Sequence, residues 1–236
     1  MTRRLVTVGG GLVLIGFGLL TLTAYLGLMW APDVDAEAWN APNSYRILFL
    51  HVPFAWASFM AFGLLFVGSL GWFLKRSDKL WKLVPIGGET GLLYCLGVLI
   101  SGPLWGAAEW GVPWDWSDVR LNTFAILGGL ALFIVLGHRA SDDGEESRDT
   151  LAAVGLFGFG LVPITYMATR WWQERHPGPV IGGGEGSGLA PEILQVMLMG
   201  ALATMILLAG QVCISWAVQD GEARLRRLQR ELEGHE

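Results

Sequence analysis

Residues 47–74 read ILFLHVPFAWASFMAFGLLFVGSLGWFL and contain no charged side chain. As a helix, such a run spans the roughly 30 Å hydrocarbon core of a bilayer. Its only ionisable group of note, His51, lies near one end, and Lys75-Arg76 closes the other. Five more runs resemble it: Leu5–Trp30, Val84–Leu104 with the single acid Glu89, Leu121–Gly137, Leu151–Thr169 and Ile193–Val218. Six spans of about 20 residues use about half the chain, which leaves little for a soluble domain. Composition agrees, since charged residues make up 16% of the chain, against about 25% in soluble domains. A soluble globular protein, a disordered chain and a basic nucleic-acid binder are all disfavoured. The expected fold is all-α, a polytopic six-helix membrane protein. Residues 1–218 form one transmembrane domain and residues 219–236 a charged cytoplasmic tail. In that tail Leu225, Leu228 and Leu232 recur at helical spacing.

The first run follows Arg3 and Arg4 but is too long for a signal-peptide core and lacks a small-residue cleavage site, so it reads as a retained span. Basic residues orient the bundle. With both termini inside, 12 of the 16 Lys and Arg residues fall on the inner side. Arg46, Arg120, Arg170 and Arg175 are the outer ones. Nine acids also lie outside, so the whole formal charge of −5 belongs to the outer face. Glu89 reads as an interface residue with Lys82 as a snorkelling neighbour. Cys95 and Cys213 sit far apart in apolar runs, which excludes a disulfide framework and a cysteine metal site.

The tryptophans are lopsided. Of 12, nine sit toward the outer side. Four of these occupy one segment, as Trp105, Trp110, Trp114 and Trp116. Pro103, Gly106, Gly111 and Pro113 interrupt it, so it reads as an outer loop, Trp105–Asp118, rather than a helix. Trp114 and Trp116 share a face if the backbone is extended. So many indoles make a platform for a flat, apolar, aromatic ligand at the membrane surface. The rival reading is an anchor resting in lipid headgroups.

Of the four histidines, His138 and His235 read as solvated inner-side residues. His51 and His176 lie on the outer side, with the Trp-rich segment between them in sequence. Neutral imidazole is a common axial ligand of haem iron. A porphyrin also needs apolar contacts for its faces and cations for its propionates. Those cations can come only from Arg46, Arg120, Arg170 and Arg175. No Cys-x-x-Cys-His is present, so the chain has no signature for attaching haem covalently to itself.

Three motifs now carry a resemblance. They are Leu50-His51-Val52-Pro53 with Trp56; Gly102-Pro103-Leu104-Trp105-Gly106 with Trp110-Gly111 and the stretch to Arg120-Leu121; and Trp171-Trp172 followed by His176-Pro177-Gly178-Pro179. With the six-span layout, the chain resembles the haem exporter protein C family of the cytochrome c maturation system over essentially its whole length. The resemblance implies His51 and His176 as axial ligands of the haem iron. Trp105, Trp110, Trp114 and Trp116 form the platform, and Trp56, Trp171 and Trp172 are secondary aromatics. It implies haem b as transported ligand, at a site facing the periplasm or outside of the cytoplasmic membrane. It also implies a membrane-anchored haem chaperone, ABC-type transporter subunits and a small single-span subunit as partners, and no enzymatic role. The family's usual Trp-x-Trp-Asp-x-Arg-Leu is altered here. Asp118 and Arg120 keep the Asp-x-Arg-Leu spacing, while Asp115 follows Trp114, and either acid can take the motif role. Two rivals stand beside this reading: a b-type haem subunit of a membrane quinol oxidoreductase, and a transporter subunit whose tryptophans only anchor it.

Overall fold

The computed structural model describes residues 2–35, 37, 39–141, 143–172 and 189–233. Every regular element among them is helical. Helix α1 spans Thr2–Met29, α2 Leu48–Lys75, α3 Asp78–Trp81, α4 Leu83–Trp110, α5 Val119–Ala140, α6 Glu145–Trp171 and α7 Pro191–Glu233. A 3-10 helix, Pro42–Ile47, leads directly into α2. All but the one-turn α3 and the 3-10 helix are long and apolar enough to cross a membrane, giving six spans.

Several helices run past the first charge that bounds their apolar run. Helix α5 continues through His138 and Arg139 to Ala140, and α6 starts at Glu145. The connection between the helices that carry the apolar runs Leu121–Gly137 and Leu151–Thr169 is therefore only residues 141–144. The macrodipole explains why the charges are tolerated, because basic groups suit a helix C-terminus and acidic groups an N-terminus. Helix α7 likewise runs unbroken through Val218 to Glu233, so the charged tail as far as Glu233 is its last turns.

Helix α2 is central and packs on α4, α6 and α7, whereas α1 rests chiefly on α7. Lipid is as apolar as leucine, so these contacts depend on close fit. Small residues supply it. A Cβ on Gly210 of α7 would lie 2.8 Å from the Gly9 carbonyl of α1. One on Gly87 of α4 would lie 2.6 Å from the Leu65 nitrogen of α2. The main core joins Phe62, Leu65, Trp72, Val84, Leu127 and Ile134 from α2, α4 and α5. Pro53 leaves the Phe49 carbonyl of α2 without its helical donor. Helix α7 covers that turn: Gly200 approaches the Phe49 carbonyl, and Thr204 Oγ1 donates to Pro53 O at 3.3 Å.

The Arg-rich end is tied across elements. Arg148 of α6 grips Asp143 at 2.8 and 2.9 Å and Asp78 of α3 at 2.5 Å. Its guanidinium also lies over the Trp72 and Trp81 rings, at 5.0 and 5.2 Å. Two expectations change at this end. Lys82 pairs with Asp220 of α7, and Glu89 pairs instead with Arg139 at 3.4 Å. His138 is half-buried, edge-on to Trp81 at 6.3 Å, because the extension of α5 carries it against α3. The opposite, Trp-rich end holds His51, Arg46, Arg120 and Arg170.

Candidate functional site

The tryptophan segment is the first correction at this end. Trp105 and Trp110 lie in the last turns of α4, not in a loop. Pro103 removes one backbone donor but does not end the helix. Gly106 does not break it either, because its missing Cβ is needed: one there would meet the Val112 carbonyl at 2.9 Å. The helix stops at Gly111, whose φ of 73° is left-handed. The chain then doubles back over Gly106 as a short strap, residues 111–118. Such a reversal favours glycine at both positions.

Asp118 ends the strap. Its side chain accepts the Leu121 N–H at 2.9 Å and caps α5. Asp115 instead accepts from the Ser117 N–H at 2.8 Å and the Ser117 hydroxyl at 2.7 Å, which makes a local turn. The two acids therefore hold different parts of the strap. Asn122 fastens its middle, donating to Trp116 O at 2.8 Å and Asp118 O at 2.9 Å.

Beneath the strap is a cleft between α2, α4 and α5. His51, Trp105, Trp110, Asp115, Asp118 and Arg120 line it together. His51 Nδ1 lies 2.8 Å from Ser101 Oγ, and that hydroxyl donates its single proton to Gly97 O at 2.6 Å. Ser101 can then only accept from the imidazole, so Nδ1 carries the hydrogen. In the neutral ring Nε2 then keeps its lone pair, the form of histidine that ligates a metal. The Arg120 guanidinium makes no hydrogen bond or ion pair among the described residues, though it interacts through space with the charge of Asp118. It lines the cleft as a cation together with His51.

The cleft encloses about 30 Å³, room for about two waters. Ligand sites for larger molecules run to about 300 Å³ and beyond. The donor set suits a haem, but the enclosed space does not admit a porphyrin with the strap in this position. On the far side of Trp105 lies a groove of about 320 Å³, bounded by Ala24, Leu28, Arg46, Leu50 and Leu104. Trp105 is a wall of both spaces.

The remaining expected site residues are dispersed. The four expected platform tryptophans include a tilted pair, Trp105 with Trp110 at 4.8 Å and 56°, and an edge-on pair, Trp114 with Trp116 at 5.7 Å and 61°. Trp105 is 8% exposed and Trp116 is 83% exposed, so only the second pair offers an open ring face. Arg46 is occupied. It donates to Gly27 O at 2.7 Å, Ala31 O at 3.0 Å and Asp33 at 2.8 Å, and so closes the C-terminus of α1. Trp56 packs in the cluster of Phe49 and Met197, away from the cleft. Arg170, Trp171 and Trp172 end α6 and do not line it, with Arg170 5.9 Å above the Tyr166 ring. Arg175, His176 and the glycine run after Pro179 lie outside the described residues.

Ser101, Glu109, Asn122 and Trp39 are the functional neighbours that sequence reasoning missed. Ser101 is the one polar residue in the apolar stretch before Gly102. That is a weak signal until the helix places it opposite His51.

A family model described as heme exporter protein C matches residues 2–231. A Bradyrhizobium diazoefficiens protein named heme exporter protein C is 32% identical over 71% of this chain and 65% of its own length. Relatives of the same name come from Haemophilus influenzae, 27% identical over 78% of this chain and 74% of their own, and from Rhodobacter capsulatus, 27% identical over 79% of each. The match thus spans just under two thirds of the Bradyrhizobium relative.

Proposed function

Because the chain belongs to the haem exporter protein C family, we propose that it binds haem at the outer face of the cytoplasmic membrane. It then delivers that haem to a membrane-anchored chaperone for c-type cytochrome assembly. The observation that carries this reading is the hydrogen-bond chain from His51 through Ser101 to Gly97. It prepares an imidazole nitrogen for iron inside a cleft lined by indoles and an arginine.

In this reading His51 and His176 are the two axial ligands and haem b is the cargo. Arg120 meets a propionate, since its guanidinium, with no hydrogen bond or ion pair among the described residues, is matched by a carboxylate. Trp105 and Trp110 wall the iron site, and Trp114 and Trp116 cover the porphyrin from the strap. Loading requires the strap to move outward, because the closed cleft is too small. The chain binds, orients and releases haem without making or breaking its covalent bonds, so its role is transfer and not catalysis. ABC-type transporter subunits and a small single-span subunit complete the complex. The acidic outer loops repel propionates and suit a protein partner instead.

Purified protein in detergent is expected to show a haem Soret band. That band is lost or shifted in His51→Ala and in His176→Ala. A wild type without the band, or a band unchanged in both variants, overturns the proposal.

A further inference from the structure

Glu109 is an acid at the end of a membrane span, yet it is 8% exposed. Its surroundings explain how it is kept there. Carboxylate Oε1 accepts the Asn40 N–H at 3.0 Å, and Oε2 accepts the Ala41 N–H at 2.9 Å. The Asn40 side chain returns a third bond, Nδ2 to the Glu109 carbonyl, at 2.9 Å. Two consecutive backbone donors on one carboxylate make a rigid clamp, because moving either residue breaks a charge-assisted bond.

The clamp joins two parts of the site that are far apart in sequence. Glu109 sits between Trp105 and Trp110 on α4. Asn40 and Ala41 follow Trp39 and precede the 3-10 helix that feeds α2 and His51. Trp39 lies against Trp105, with ring centroids 6.2 Å apart. The Trp39, Trp105 and Trp110 rings therefore form one continuous row. No other side-chain hydrogen bond among the described residues ties Asn40 or Ala41 to α4.

We propose that Glu109 is a positioning residue of the haem site, which clamps the first outer loop onto α4 and so sets Trp39 and Trp105 as one wall beside His51. The inference rests on the haem-binding reading above. It adds a side chain that touches no ligand and a tryptophan from a different loop.

The test compares wild type with Glu109→Ala, Glu109→Gln and Asn40→Ala, loaded with haem in detergent. The readouts are the Soret spectrum and the rate of haem loss to apomyoglobin. Glu109→Ala removes both charge-assisted bonds and is expected to lose haem at least about tenfold faster, the factor that one such bond sets. Glu109→Gln keeps one acceptor and falls between. Asn40→Ala, which removes only the third bond and sits on an exposed residue, gives a smaller rise in the same direction and serves if Glu109→Ala fails to fold. Amide exchange at Asn40 and Ala41 rises in the same order. Folded variants that exchange faster but lose haem at the wild-type rate show a purely structural clamp and overturn the inference alone. A wild type with no Soret band overturns the parent reading and this inference together.

Discussion

A single hydroxyl decides what His51 can do. Ser101 gives its proton to the Gly97 carbonyl and takes the one from Nδ1, which fixes the ring's tautomer and orientation together. Partners of this kind influence metal affinity by about 10- to 100-fold. Ser101→Ala is therefore expected to weaken haem binding by about tenfold, read as a shifted midpoint in a haem titration, while Ser101→Thr retains most of the affinity. Equal midpoints for Ser101→Ala and wild type would remove the serine from the site. Arg120 is the second decisive residue. Arg120→Ala should weaken binding of haem but not of haem dimethyl ester, whose propionates carry no charge. Equal losses for both ligands would show that the arginine acts through packing.

The element that matters most is the end of α4. Its last turns carry Trp105, Glu109 and Trp110, and its left-handed end at Gly111 returns the strap over Gly106. The close approach of the Val112 carbonyl to Gly106 allows no Cβ. Gly106→Ala should displace the strap and leave the helices intact. Limited proteolysis within residues 111–118 is expected to accelerate, with unchanged helical circular dichroism. If the strap must open for loading, the same variant takes up haem faster and also releases it faster. Uptake at the wild-type rate alongside faster proteolysis would argue against the strap as the barrier.

At the scale of the whole molecule, the two ends are built differently. The Trp-rich end has an imidazole bonded to a serine, a carboxylate bonded by backbone amides and an arginine whose guanidinium makes no hydrogen bond or ion pair among the described residues. The other end is cross-braced by ion pairs that link α3, α6 and α7 through Asp143, Arg148 and Arg226. Burial by itself would raise the Asp143 carboxyl. The Arg148 hydrogen bonds, with the charges of Arg148 and Arg226, outweigh it and hold the group below the ordinary carboxylate range. A depressed folded-state value means that the contribution is complete above the unfolded value, about 3.9. It is lost as pH falls through the folded one. Asp143→Asn keeps a residue that tolerates the φ of 56° found there and removes only the charge. It is expected to lower stability near neutral pH by about 2 kcal/mol. The difference from wild type should shrink as pH falls below the unfolded value and through the depressed folded one. Thermal unfolding in detergent across that range checks this, and parallel pH curves would contradict it.

Hydrophobic run length by itself determined the six spans, since a bilayer demands about 20 apolar residues whatever they pack against. It also separated one tryptophan-rich end from one arginine-rich end, because side follows from parity along the chain. Motif spacing placed His51, Trp105, Trp110 and Arg120 in one neighbourhood. Helix ends were less legible: α4, α5 and α7 pass through glycine, proline or charge, because backbone bonding and the macrodipole tolerate what a hydropathy count does not. Partners could not be read from sequence at all. Ser101 lies 50 positions from His51, and Asn40 lies 69 from Glu109. Which of two acids caps α5, which arginine is already used by α1 and which donor sets a histidine's tautomer depend on hydrogen bonds a few ångströms long. Only the packing of α2 against α4, and of the first outer loop on the end of α4, brings those groups within reach.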